Sequence, residues 1–291
     1  MVIIKGFVKF REKLPILSGK RIAVIPLYII FISIITFLIY TIFDTLPELL
    51  MTSGTSMILL SFFPLFGVLL LEITGLFLVW QMWLWRNSLK ERYGPTSYQR
   101  IVFSGFAGII MVISIAFNQY IPYYSYAPTF WASSPLQSLA TSLEGFFGGV
   151  GSVIFYVTEI LAVILLIIGL MMCARAIQVF GVDYMAVVYL YFPEESRIQE
   201  NEIYSVLRHP AYASMLIIAL GGTFHTFTIL SFLSFLTFLL GFYVHIYLVE
   251  EKELIQRFGD SYKSYQKKVP AFFIKPKDIN IFLRFLLMRD R

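Results

Sequence analysis

The chain has 291 residues, of which 58% are hydrophobic and only 14% charged, against roughly 25% charged in a soluble domain. A water-soluble core of this length cannot hide that much apolar surface, so the composition excludes an ordinary soluble domain and makes lipid the natural solvent. A single cysteine, Cys173, excludes an intramolecular disulfide or a Cys-rich metal site, and the net charge of +5 is better explained by membrane topology than by nucleic acid.

Spanning about 30 Å of hydrocarbon takes roughly 20 apolar residues. Such runs occur in order at Val24–Phe43, Met57–Trp83, Ile101–Ile121, Phe147–Met172, Ala211–Phe224 and Thr228–Val249. The expected fold class is therefore all-α, a polytopic membrane protein with about six transmembrane helices. The fifth run is short. It forms a tight hairpin with the sixth, with the turn expected at Gly221, Gly222, Thr223 and His225.

With the N-terminus in the cytoplasm, six alternating spans place all 23 Lys and Arg residues in the segments 1–23, 84–100, 173–210 and 250–291. The outer loops hold none, and the long loop Pro122–Phe146 is rich in Ser, Pro and Tyr. The positive-inside rule then puts both termini in the cytoplasm. The first run follows six basic residues and precedes no small-residue cleavage site, so it reads as a retained anchor rather than a signal peptide. The tail beyond residue 278 mixes Ile279, Phe282, Phe285 and Leu286 with Arg284, Arg289 and Arg291. It is either an interfacial helix on an anionic leaflet or a short helix packed on the protein's own cytoplasmic face.

Pro64 is expected to kink the second run, and the Gly148-Gly149-x-Gly151 stretch to serve close helix packing. That stretch lies in an apolar run without a preceding strand, so it is no nucleotide loop. Glu72 and Glu159 lie inside predicted spans, where carboxylates are costly. They either stitch helices together or line an acceptor's path. His209, His225 and His245 are too scattered for metal-ligand spacing, so no metal is expected.

The chemistry concentrates after residue 200. Pro210 suits the first turn of a helix, where its missing N–H costs nothing. The free N–H groups of that turn favour an anion, with Arg208 and His209 beside them and Tyr204 and Tyr212 flanking. The plainer reading is a snorkelling Arg with a His-Pro helix start. Glu250 and Glu251 end the sixth run on the same membrane face, where an acidic pair opposes the positive-inside trend. The hairpin brings both clusters to one rim. A zwitterionic sulfonium cofactor, S-adenosylmethionine, has use for both. Gly259 is expected to end the helix that carries Glu250, Asp260 to cap the next, and Pro270 to stop it. Tyr262 and Tyr265 then share one face of a segment read chiefly as a lid.

In order and spacing, Tyr204, Arg208, His209, Pro210, Tyr212, Glu250, Glu251, Phe258, Gly259, Tyr262, Tyr265, Val269 and Pro270 resemble the isoprenylcysteine carboxyl methyltransferase and phospholipid methyltransferase superfamily. The resemblance covers about Leu161 to Lys277. It implies that Tyr204, Arg208, His209, Pro210, Tyr212, Glu250 and Glu251 hold S-adenosylmethionine, and that the acceptor is lipophilic and reached from the lipid bilayer. Two positions depart from the family: Glu202 stands where it has Gly, and His245 and Tyr247 are the polar residues where it often has Arg. His245 and Tyr247 are therefore the candidate substrate contacts. The expected division is 1–150, transmembrane helices of unknown role; 151–278, a methyltransferase core; and 279–291, an interfacial basic tail. Two rival readings remain: an NADPH-dependent sterol-type reductase, which shares a related Arg-His-Pro-x-Tyr ending, and a non-catalytic scaffold or transporter.

Overall fold

The computed structural model describes residues 5–15, 21, 23–51, 62–120 and 150–287. The expected outer loop Pro122–Phe146, the glycines Gly148 and Gly149, and the basic residues Arg289 and Arg291 lie outside them. Within the described residues the helices are α1 (Phe7–Glu12), α2 (Val24–Met51), α3 (Phe63–Leu84), α4 (Arg86–Tyr93), α5 (Ser97–Asn118), α6 (Val150–Phe180), α7 (Val182–Met185), α8 (Val188–Tyr191), α9 (Pro210–Thr226), α10 (Ile229–His245), α11 (Glu251–Phe258), α12 (Asp260–Lys268) and α13 (Ile279–Leu286). No strand occurs among the described residues, so the protein is an all-α polytopic membrane protein.

Five stretches are long and apolar enough to cross a membrane: Val24–Leu46, Phe63–Leu84, Arg86–Asn118, Tyr156–Phe180 and Ile229–Phe258. Their outward faces carry bare aliphatic side chains such as Leu27, Ile34, Val157 and Ile160, which only hydrocarbon solvates without cost. The remaining hydrophobic helix, α9, has 17 residues and a length of about 25 Å, short of the hydrocarbon thickness. It is also largely buried, packed along α6 and against α5 and α10.

Several local expectations change. Pro64 sits in the first turn of α3, where it starts the helix instead of kinking it. The fourth span does not end at Met172; α6 runs on to Phe180 and carries Arg175 beyond the apolar stretch. The hairpin turn is not at Gly221–His225. α9 continues through Thr226 and stops at Phe227, whose φ of +45° breaks the winding. Gly221 and Gly222 instead admit Tyr120 and Gln119 against the helix: a Cβ on Gly222 would lie 2.6 Å from Gln119 Cβ. α10 then starts on a capping box, with Thr228 and Ser231 exchanging side-chain-to-backbone hydrogen bonds of 3.0 Å.

One apolar cluster ties both halves of the chain together. Val68 and Leu71 of α3 and Val112 and Ile115 of α5 pack with Ile218 and Ala219 of α9 and Phe238 and Phe242 of α10. α3 and α5 cross closely at Gly75 and Gly108, where a Cβ on Gly75 would meet the Gly108 carbonyl oxygen at 2.9 Å. The two carboxylates inside the predicted spans, Glu72 buried and Glu159 partly exposed, each meet a neighbouring helix. Glu159 of α6 meets His225 of α9 at 2.9 Å, and Glu72 of α3 lies against Thr237 and Gly241 of α10.

Candidate active site

Pro210 opens α9, so Arg208 and His209 stand at its N-terminal mouth. The backbone there is held by the segment after α12: Arg208 N–H donates to the Pro270 carbonyl at 2.9 Å and His209 N–H to the Ala271 carbonyl at 3.2 Å. On the other side of the hairpin, α10 does not end at Glu250. It widens through a π turn, Ile246–Glu250, into α11. Such turns mark an extra residue accommodated in a helix and recur at functional sites. This one presents consecutive carboxylates, Glu250 and Glu251, to the α9 mouth.

The two carboxylates have different tasks. Glu251 is buried, and its Oε1 accepts from Arg208 Nε at 3.0 Å and Nη2 at 2.6 Å, with His209 Nε2 at 3.1 Å. Its Oε2 accepts from Gln266 at 3.0 Å. Arg208 spends its other Nη on the carbonyls of Gln266 and Val269. The expectation of Arg208 as an open anion receptor therefore changes. Four of its five N–H donors are taken up in tying α9, α11 and α12 together, and Glu251 is absent from the cavity lining. Glu250 is the open one. Its Oε1 lies 3.9 Å from His209 Nδ1, the Tyr212 hydroxyl bonds to it, and its buried Oε2 has no partner among the described residues.

These residues border a cavity of about 340 Å³, within the roughly 300–1,000 Å³ usual for cofactor sites. Tyr204, Arg208, His209, Pro210, Tyr212, His245 and Glu250 all line it. Tyr247 does not. It faces outward along a second, apolar groove with Tyr243, Leu240 and Phe273, so the two expected substrate contacts separate, His245 inward and Tyr247 outward. In the segment read as a lid, Tyr262 and Tyr265 line the cavity, and the Tyr265 hydroxyl donates to the Tyr204 carbonyl at 2.6 Å. Burial pushes the phenols of Tyr204, Tyr262 and Tyr265 well above their ordinary range, so they present neutral rings and O–H donors. Gly259, at φ +57°, ends α11 as expected. Asp260 makes no capping hydrogen bond; its carboxylate pairs with Lys263 at 3.0 Å.

The cavity also has walls that residue spacing near the motif does not announce. Leu76, Val79 and Trp83 of α3 and Ile109 and Val112 of α5 line it, as do Tyr184 and Tyr189 from the α7–α8 segment. That segment is clasped by the N-terminus: Lys9 and Lys13 pair with Glu195, the former at 2.9 Å, and Val182 N–H donates to the Lys5 carbonyl at 2.9 Å. A Trp at the end of an apolar run reads in sequence as an ordinary interfacial aromatic, which hides its position beside the site. At the rim, Arg86 of α4 and Arg257 of α11 both bind Glu253 Oε1, at 2.6 and 2.8 Å.

The hairpin thus brings a basic helix mouth and an acidic π turn to one cavity. Residues 157–261 match the family model described as phospholipid methyltransferase. The chain is 31% identical over 118 residues to the protein-S-isoprenylcysteine O-methyltransferase of Schizosaccharomyces pombe, covering 40% of this chain and 50% of that protein. It is 25% identical over 115 residues to a probable protein-S-isoprenylcysteine O-methyltransferase of Oryza sativa subsp. indica, covering 40% of this chain and 60% of that protein. The C-terminal part of this chain is thus similar to the isoprenylcysteine and phospholipid methyltransferases. The chain spans about half the length of the curated relatives it matches. No solved structure matches it.

Proposed function

We propose that the protein is an integral membrane, S-adenosylmethionine-dependent methyltransferase that acts on a lipophilic acceptor, with its site at the cytoplasmic face. One observation carries the reading: Glu250, with a buried and unpartnered carboxylate oxygen, and the α9 mouth share one cavity. The donor set fits this cofactor. Glu250 suits its ammonium, the free N–H groups of α9's first turn suit its carboxylate, and Phe180, Tyr204 and Tyr212 offer aromatic surface to its adenine. When bound, the cofactor supplies an electrophilic methyl group on a sulfonium.

The chain's own part is positioning and exclusion of water. Arg208 and Glu251 fix the geometry of the mouth, and Tyr262 and Tyr265 close over it. The apolar residues of α3 and α5 keep the interior dry and connect it to the membrane-spanning part of the protein. An in-line displacement needs the acceptor atom within about 3–3.5 Å of the methyl carbon, and a cavity bounded on several sides by packed helices restricts the approach to such a line. Within residues 1–150, α3 and α5 serve here as a wall of the site, with 151–278 as the methyltransferase core and the tail as an interfacial element. α13 buries Phe282 and Leu286 on the protein while Ile279, Ile281 and Leu283 stay exposed beside Arg284, a pattern suited to the leaflet surface. The cytoplasmic facing rests on the Lys/Arg distribution of the sequence.

Calorimetric titration of the detergent-purified protein with S-adenosylmethionine and, separately, NADPH tests this. Binding of the first alone is expected, and Glu250→Gln should weaken it at least about tenfold, or 1.4 kcal/mol. Binding of NADPH alone would establish the reductase reading, and binding of neither a non-catalytic role. Unchanged affinity in Glu250→Gln would refute the assigned site.

A further inference from the structure

Residues 5–15 border no part of the cavity, yet they are locked onto a stretch of its wall whose backbone is strained. That stretch runs from the end of α6 to α8. Val187 sits at φ +58° and ψ +27°, in the left-handed region where a β-branched side chain is sterically penalised. Such a conformation persists only where the surroundings over-determine it. Its effect is specific: the chain doubles back, and the Tyr189 ring meets the Tyr184 ring at 3.6 Å between centroids. Tyr184 stacks in turn on Phe180 at 4.0 Å, and Phe180 lies 4.9 Å from Tyr204. All four rings and Val187 line the cavity, so the turn sets an aromatic wall that ends at Tyr204, close to the α9 mouth.

The hold comes from Asp183. Its buried carboxylate accepts the Tyr189 hydroxyl. Two glycines close over it, Gly6 at φ +78° and Gly181 at φ +103°, and a Cβ on either would run into its Oδ1. Around this hub the N-terminal segment is bonded in place. Val182 N–H donates to the Lys5 carbonyl at 2.9 Å, and the Lys5 ammonium donates to the Val179 carbonyl. The Lys9 ammonium lies 5.1 Å over the Tyr189 ring and 2.9 Å from Glu195. Phe10 and Leu14 join Ala186, Val188 and Leu190 in one buried cluster. Burying two apolar side chains does not by itself require a positive-φ glycine packed on a carboxylate. Those contacts fix the position of the ring that Asp183 holds.

We propose that Asp183, Tyr189 and the clasping residues 5–14 are positioning elements of the cofactor site. They hold the rings of Tyr184, Phe180 and Tyr204 as the wall against which the adenosine part of S-adenosylmethionine lies, and the clasp acts on binding without touching the ligand. The inference rests on the methyltransferase reading. It puts a determinant of cofactor affinity in the N-terminal segment, outside the matched residues 157–261. It also separates two tasks: the clasped wall serves the adenosine, and Glu250 serves the ammonium.

Calorimetry on the full chain in detergent tests this. S-adenosylmethionine is compared with 5′-methylthioadenosine, which keeps the adenosine and lacks the amino acid. Tyr189→Phe removes the tethering hydroxyl and keeps the ring. Gly6→Ala pushes on Asp183 from a residue that does not border the cavity. Each should weaken both ligands by the same factor, about fivefold, the scale of one net hydrogen bond. Asp183→Asn keeps an oxygen for the Tyr189 hydroxyl and should bind both as wild type does. Glu250→Gln should weaken S-adenosylmethionine and leave methylthioadenosine unchanged. A merely structural clasp would lower the binding stoichiometry or the melting temperature at unchanged dissociation constants, and that result overturns the proposal. So does a loss confined to S-adenosylmethionine in Tyr189→Phe and Gly6→Ala, or a loss in Asp183→Asn as large as theirs. A wild type that binds neither ligand overturns the methyltransferase reading and this inference with it. A wild type that binds both, with indifferent clasp variants, overturns the inference alone.

Discussion

Arg208 places two of its N–H groups on a single oxygen of Glu251, at 3.0 and 2.6 Å, with both side chains buried. The pair spans the hairpin, and through Gln266 and Val269 it also holds α12. Removing one partner leaves the other's charge buried and uncompensated, which costs about 3–5 kcal/mol. Arg208→Ala and Glu251→Ala are therefore expected to lower the melting temperature in detergent sharply and to lose cofactor binding as a consequence. Glu250→Gln, on the open side, should bind weakly yet melt near wild type. If Arg208→Ala melts like wild type, the bridging role assigned to this pair is wrong.

The lid is held by fewer bonds. Tyr265→Phe deletes the hydroxyl that donates to the Tyr204 carbonyl and keeps the ring. The expected cost is about 1–2 kcal/mol, seen as faster hydrogen exchange across residues 260–268 and a few-fold weaker cofactor. Exchange identical to wild type would show that ring packing alone closes the segment.

Glu195 gives a pH signature. The hydrogen bond from Lys13, then that from Lys9, holds its carboxyl below the ordinary range. A depressed folded value means the contribution is fully present above the unfolded value, near 4.5, and is lost as pH falls through the folded one. The group is partly exposed and screened, so the effect is local: α1 should loosen from the α7–α8 segment as pH drops below about 4.5. Limited proteolysis of the first 15 residues across pH measures it. Glu195→Gln should be cleaved readily at every pH, and a pH response surviving in that variant would rule this carboxylate out as its source.

Glu202 sits at φ +52°, a conformation that costs an L-residue about 1–2 kcal/mol. Its pairing with Arg175 at 3.1 Å is on the exposed side and contributes less than about 1 kcal/mol. Glu202→Gly should therefore leave the melting temperature unchanged or raise it by a degree or two per half kilocalorie gained. A clear drop would mean that the ion pair outweighs the backbone strain.

Much of this was legible in the residue order. Arg208-His209-Pro210 announced a helix mouth, Glu250-Glu251 an acidic counterpart, and the apolar run between them a hairpin that brings them together. What spacing does not encode is rotation about each helix axis. Nothing in the Glu-Glu pair says which carboxylate faces the cavity, and the π turn before Glu251, in which Ile246 and Val249 are buried, has no signature in residue spacing. Gly221 and Gly222 read equally well as a turn or as a close contact, because glycine permits both. The contribution of α3 and α5 was hidden for a different reason: Val79, Trp83 and Val112 look like any lipid-facing or core residue until the partner helix is known.

The π turn at Ile246–Glu250 carries a genetic consequence. One residue is roughly 100° of arc in a regular helix. Deleting a single codon within 246–249 would let the chain rewind as ordinary α and swing everything downstream by that angle, so that Glu251 no longer meets Arg208. A substitution at an outward position such as Leu248 leaves that registration intact. The element that is nearly silent towards replacement is thus acutely sensitive to a change in length.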